Sequence, residues 1–259
     1  MTNKLIIIIG LGLLIFQSCN TQESMDKKIH ALENSPTFLD TSQQNQLLNL
    51  YLKYAHKYPY ADQTVSYWFH GIQELYYRQK NQQVIKEGLQ YLNQYDSSPF
   101  HRNIQIVLAK SYYKTNQLDS SVSFYEKAEQ LNTLNTDELQ DFALVFIKKE
   151  VENRGDSIGG YYLLRASKAL SQSQQQIKAL EILDDLLNRY RGIKQEPEAI
   201  YLKAKILEDE EKIEESEAAY NDLVLRFPNH PISKDVSILL KKGLVGLSAE
   251  EIFEKIKND

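Results

Sequence analysis

A single cysteine, Cys19, rules out any intramolecular disulfide in this 259-residue chain, so packing rather than cross-linking must hold it. Glycine and proline are scarce, at 10 and 6 residues, which disfavours a turn-rich all-β fold and a disordered chain alike. No basic block occurs, and 30 Lys and Arg against 35 Asp and Glu leave a formal charge of -5; nucleic acid is not an expected partner. Phosphate loops and dinucleotide fingerprints are missing. The five histidines, His30, His56, His70, His101 and His230, include no H-x-x-x-H pair. His70 and Glu74 lie one helical turn apart, but two ligands without a third do not make a zinc site. No metal and no cofactor are expected.

Long apolar runs are also absent, with one exception. Lys4 precedes Leu5–Phe16, roughly 12 apolar residues where a membrane span needs about 20. A charged start and a short apolar run read as a signal peptide over residues 1–18. The run closes on Phe16-Gln17-Ser18-Cys19. A small residue before a lone cysteine resembles a bacterial lipoprotein lipobox. That resemblance implies cleavage after Ser18, acylation of Cys19 and attachment to a membrane. Residues 19–39 are polar and carry Ser35-Pro36, and we expect a tether there.

From Asp40 onward the apolar spacing is helical. The segments 41–57, 61–79, 137–152, 156–172 and 175–190 each carry a stripe at intervals of three and four. Thr136 is the expected cap of the third. Asn116 falls in an interhelix turn that favours the left-handed backbone, and Ser248 with Glu251 forms a capping box before a last helix. The plainest stretch is Glu198–Pro231, where Ile200, Ala204, Leu207, Ser216, Tyr220 and Pro228 alternate large and small residues across two helices before a proline. This pattern resembles the tetratricopeptide repeat. Further copies centre on Tyr51, Leu92, Tyr125 and Leu183. The successive steps from Tyr51 through these positions to Tyr220 are 41, 33, 58 and 37 residues, against a family period of about 34. The long step leaves helix 137–152 unpaired, and Tyr51 to Tyr220 spans 169 residues, near five family periods.

The resemblance implies an all-α fold: an α-solenoid of antiparallel helix pairs with about five degenerate repeats over 40–231 and capping helices over 232–259. It also implies binding of a protein or peptide partner rather than catalysis. In this family the first helix of each unit lines a concave groove, which points to Lys110, Tyr113, Tyr161, Lys168, Tyr201 and Lys205. Lysines beside tyrosines suit an extended peptide with acidic groups. The lipobox with repeats ending in Arg226-Phe227-Pro228-Asn229-His230-Pro231 resembles the repeat lipoprotein of outer-membrane β-barrel assembly. The implied address is the bacterial envelope, lipid-anchored in the outer membrane and facing the periplasm. A surface lipoprotein that captures ligand for a transporter is the alternative. One catalytic lure remains, Gly155-Asp156-Ser157-Ile158-Gly159, which satisfies G-x-S-x-G. A nucleophile elbow needs a strand directly before that serine, and charged, helix-favouring residues stand there instead. Ser157 therefore reads as a turn residue and not as a hydrolase nucleophile.

Overall fold

The computed structural model describes residues 22–258, and among them it contains thirteen helices and no strand. Cys19 and the leader expected over 1–18 lie outside the described residues. The helices are α1 (22–33), α2 (Thr41–Lys57), α3 (Thr64–Tyr77), α4 (Asn81–Gln94), α5 (His101–Lys114), α6 (Leu118–Leu131) and α7 (Thr136–Glu152). They continue as α8 (Ser157–Gln172), α9 (Gln176–Arg189), α10 (Glu196–Asp209), α11 (Ile213–Arg226), α12 (Pro231–Lys241) and α13 (Ala249–Asn258). None of the described helices is long and apolar enough to cross a membrane. The chain divides into two compact units, Met1–Gln117 and Leu118–Asp259.

From α2 to α5 in the first unit and from α6 to α12 in the second, helices pack antiparallel against their sequence neighbours, and alternate helices also touch. In the first unit α3 meets α5; in the second α8 meets α10, and α10 meets α12. Backbone dihedrals mark the same alternation independently. Helices α3, α5, α8 and α10 run into a left-handed residue, at Gln79, Asn116, Gln174 and Glu211. In each case the next N–H reaches five residues back, as in Lys80 N–H to Leu75 O and Lys212 N–H to Leu207 O. That bond satisfies a carbonyl the helix end would otherwise strand. Helices α2, α4, α9 and α11 end differently, on an aromatic cap at Tyr58, Tyr95, Tyr190 and Phe227 with φ between -133° and -118°. Proline follows only two of these four aromatics, so the recurring stop signal is the ring. Tyr58 folds back on Tyr54 and Tyr95 on Tyr91, with centroids 5.2 and 5.4 Å apart.

These markers give the period directly. Gln79 to Asn116 and Gln174 to Glu211 are both 37 residues, while Asn116 to Gln174 is 58. The repeat step is therefore 37 residues, and 21 extra residues enter between α6 and α8. The uneven steps of 41 and 33 disappear, because the position equivalent to Tyr51 is Gly88 and not Leu92. Tyr51, Tyr125, Leu183 and Tyr220 are all buried at this position. Where Gly88 replaces them, Leu108 of α5 fills the space, and a methyl on Gly88 would meet its Cδ2 at 2.9 Å. The 169 residues from Tyr51 to Tyr220 are thus four repeat steps plus one insertion.

The insertion carries α7. Its cap is Asn135 and not Thr136: the Asn135 side chain accepts from Glu138 N–H, while the Glu138 carboxylate accepts from Asn135 N–H. The placement differs by one residue because the carboxamide reaches the N3 amide from a β-region backbone. Far from lying loose, α7 packs closely on α8 and also on α6. Leu139, Phe142, Ala143 and Phe146 face inward.

The expected tether is corrected at 22–33, which folds as α1 and closes the first unit. Ile29 is fully buried in a cluster with Tyr51, Tyr54 and Tyr67. The three phenols then bind α1: Tyr51 donates to Glu33 at 2.7 Å and Tyr67 to Asp26 at 2.5 Å, while Tyr54 accepts from the Gln22 amide at 3.2 Å. At the other end α12 and the turn after it cover the second unit through Val236, Leu244 and Val245. Helix α13 does not share that role, since its Phe253 is 66% exposed.

Candidate functional site

Lys110, Lys168 and Lys205 occupy one register position, six residues before the left-handed turn, on α5, α8 and α10. All three, with Tyr113, Tyr161 and Tyr201, are half-buried. Lys110 and Tyr113 belong to the first unit and the other four to the second. In the second unit the charges are already matched. Lys168 Nζ lies 2.9 Å from Glu198, which links α8 to α10. Lys205 Nζ lies 2.9 Å from Glu208, a carboxylate that also accepts from Tyr220 OH and Gly246 N–H, both at 2.9 Å. Burial opposes the Lys205 ammonium, but Glu208 outweighs it and raises the pKa. Burial would likewise raise Glu208, yet Gly246 N–H, Lys205 and Tyr220 hold it below the ordinary carboxylate value. The tyrosines have partners as well: Tyr161 OH reaches Glu126 at 3.4 Å, and the Tyr201 ring lies 6.1 Å from that of Tyr220. An acidic ligand on Lys168 or Lys205 would have to compete with a carboxylate of this chain.

The first unit holds a different feature, which spacing alone does not reveal. The turn after α1 is a seven-residue stretch, 34–40, and α2 starts early on an Asp40–Gln43 capping box. Other first helices lead into their partners through tight left-handed turns. The longer connection leaves a cavity of about 450 Å³ between α2 and α3. Leu47, Leu48 and Tyr51 form an apolar side, and His70, Gln73 and Glu74 form a polar one. Glu74 is held by Arg78 at 2.6 Å, and the His70 ring lies 5.7 Å from Tyr51. The two residues considered as metal ligands thus line one cavity. No group of three or more metal-binding side chains occurs among the described residues. Tyr77 at the mouth is 73% exposed, and Phe38 in the loop is fully exposed. The signal in the sequence was Asp40 three residues before Gln43, a capping-box pattern that the apolar spacing alone did not single out.

Ser157 is the first residue of α8, with Asp156 as its cap and Gly155 at φ 92°. Helix α7, not a strand, precedes that turn. Among the described residues the Ser157 hydroxyl reaches only Asp156, at 3.2 Å. The geometry is that of a helix start.

No protein-family model matches the chain, and no curated protein matches it. Among solved structures, a tetratricopeptide repeat protein from Parabacteroides merdae aligns over 83% of this chain and 97% of its own, with 10% identity and a TM-score of 0.41. The TPR2AB domain of yeast Sti1, in its pHSP90 complex, aligns over 86% of this chain and 87% of its own, with 14% identity and a TM-score of 0.40.

Proposed function

We propose that this chain is a lipid-anchored scaffold of a bacterial envelope that binds a protein segment at the cavity between α2 and α3. The observation that carries the reading is that cavity, formed where the regular turn is replaced by 34–40 and lined at its edge by exposed Tyr77 and by Leu39, whose chain neighbour Phe38 is fully exposed. Its volume of about 450 Å³ falls in the range of ordinary ligand sites. Exposed aromatics beside an apolar floor suit one large apolar side chain of an extended segment. Gln73 and His70 are in place to bond its main chain. This moves the proposed contact away from the lysine row, where Glu198 and Glu208 already occupy Lys168 and Lys205.

Attachment at Cys19 and a periplasm-facing outer-membrane address belong to the same proposal and rest on the Ser18-Cys19 pattern. Service to outer-membrane assembly is its most specific form. The ending that prompted it also has a structural account: Arg226 pairs with Glu196 and Asp222, Phe227 caps α11, and Pro231 opens α12. The test is a photo-crosslinking residue at position 77 in living cells, with identification of the captured protein. A single captured envelope protein, lost when Leu48→Glu closes the floor, is the expected result. Equal capture from position 77 and from an exposed control at Leu225 would reject the site.

A further inference from the structure

The inserted helix α7 has two apolar faces, and only one of them is used inside the second unit. Opposite Phe142 and Phe146, the side chains of Leu144 and Val151 are 50% and 55% exposed, and Ile147 is half-buried between them. Beside this stripe, α7 and α9 enclose a cavity of about 260 Å³ with Ala143, Leu144, Ile147, Leu170 and Ile182 in its wall. Ile177, one turn away on α9, is 71% exposed. At the rim stand Lys178 and Glu181, one helical turn apart. Among the described residues the Lys178 ammonium bonds the Gln175 carboxamide alone, at 2.7 Å, and Glu181 makes no ion pair. Neighbouring charges behave otherwise: Lys149 pairs with Asp119, Lys203 with Asp184 and Arg189 with Glu150.

An apolar strip edged by one cation and one anion is neutralised by its own copy when the order of the two charges is reversed. A two-fold axis running across α7 and α9 does this. It sets α9 antiparallel to its mate, so that each Lys178 faces the other copy's Glu181, and lays the two Leu144–Val151 stripes together. Isologous interfaces require such self-complementarity, and the arrangement closes on itself at two copies. We propose that the α7–α9 face is a two-fold interface between two copies of this chain.

The experiment measures mass by analytical ultracentrifugation on the full chain in detergent, with detergent mass matched out. We expect a dimer whose dissociation constant rises at least tenfold in Leu144→Glu, a half-exposed site that leaves the helices intact by circular dichroism. Lys178→Glu alone and Glu181→Lys alone should each weaken dimerisation by a similar factor, because each places like charges opposite one another. The double exchange, K178E with E181K, should restore it. A monomer at every concentration, or a dimer indifferent to Leu144→Glu, overturns the proposal. Failure of the double exchange to rescue the single ones overturns the two-fold pairing and makes a foreign protein the better occupant.

Discussion

Gly88 stands where three other repeats bury tyrosine, and the lost ring volume is returned by Leu108 from the next helix. Restoring bulk at Gly88 alone therefore overpacks. Gly88→Leu should cost about 1–3 kcal/mol, read from the urea midpoint, and adding Leu108→Ala should recover part of it. The left-handed turns make the opposite case. Asn116 was legible because asparagine tolerates that conformation, but Gln79, Gln174 and Glu211 adopt it too, at φ 57°, 62° and 59°. Nothing in glutamine or glutamate announces such a turn; the five-back hydrogen bond of the packed helix pair imposes it. Glu211→Gly should gain about 0.5–1 kcal/mol by relieving that backbone cost, visible as a higher midpoint in thermal unfolding. Glu150 illustrates buried charge. Burial would raise its pKa, yet Arg189 and Tyr190 bind it and hold it below the ordinary 4.5. A depressed carboxylate stabilises the fold above its unfolded value, and that contribution is lost as pH falls through the folded one. Stability should thus drop below about pH 4.5 with a shallower slope in Glu150→Gln, at the cost of a lower plateau near neutrality.

At the scale of elements, most helices were readable from their apolar stripes, and α2 has the bounds expected, Thr41–Lys57. One was missed, and one was placed but not recognised as an insertion. Helix α1 offers a thin apolar signal, chiefly Met25 and Ile29, between charged residues. It is held instead by tyrosine hydroxyls from α2 and α3, and no local pattern encodes a hydrogen bond across that separation. Helix α7 was visible, but the 34-residue family period concealed that it is an insertion into a 37-residue repeat. Both 17-residue helices, α2 and α7, begin on an Asx capping box. The regular second helices α4, α9 and α11 begin without one, on Lys80, Gln175 and Lys212. Capping chemistry thus marks the places where the repeat restarts. The α2–α3 cavity and the exposed α7 face both lie at such restarts, which is why neither followed from repeat slots. Ile29→Ala should cost about 2–4 kcal/mol and speed amide exchange in α1 and α2 first. Uniform exchange with no loss of stability would contradict the capping role of α1.

For the chain as a whole, Cys19→Ala should shift the protein from the membrane to the soluble fraction and abolish acyl labelling. Membrane attachment that persists would remove the lipid anchor from the proposal. The pinning of α1 gives that anchor a sharper meaning. Only two residues, Asn20 and Thr21, separate Cys19 from Gln22, the first residue described in α1, a contour of about 10 Å over three steps. The polar stretch does not give the folded part a long working radius. An acylated Cys19 would hold the α1–α3 end close against the lipid headgroups, and a partner would have to arrive at the bilayer surface to meet the cavity. A flexible insertion of about 20 residues before Gln22 would loosen that posture without touching any packed residue. The yield of crosslinks from position 77 would then report whether the site works by reach or by being held in place.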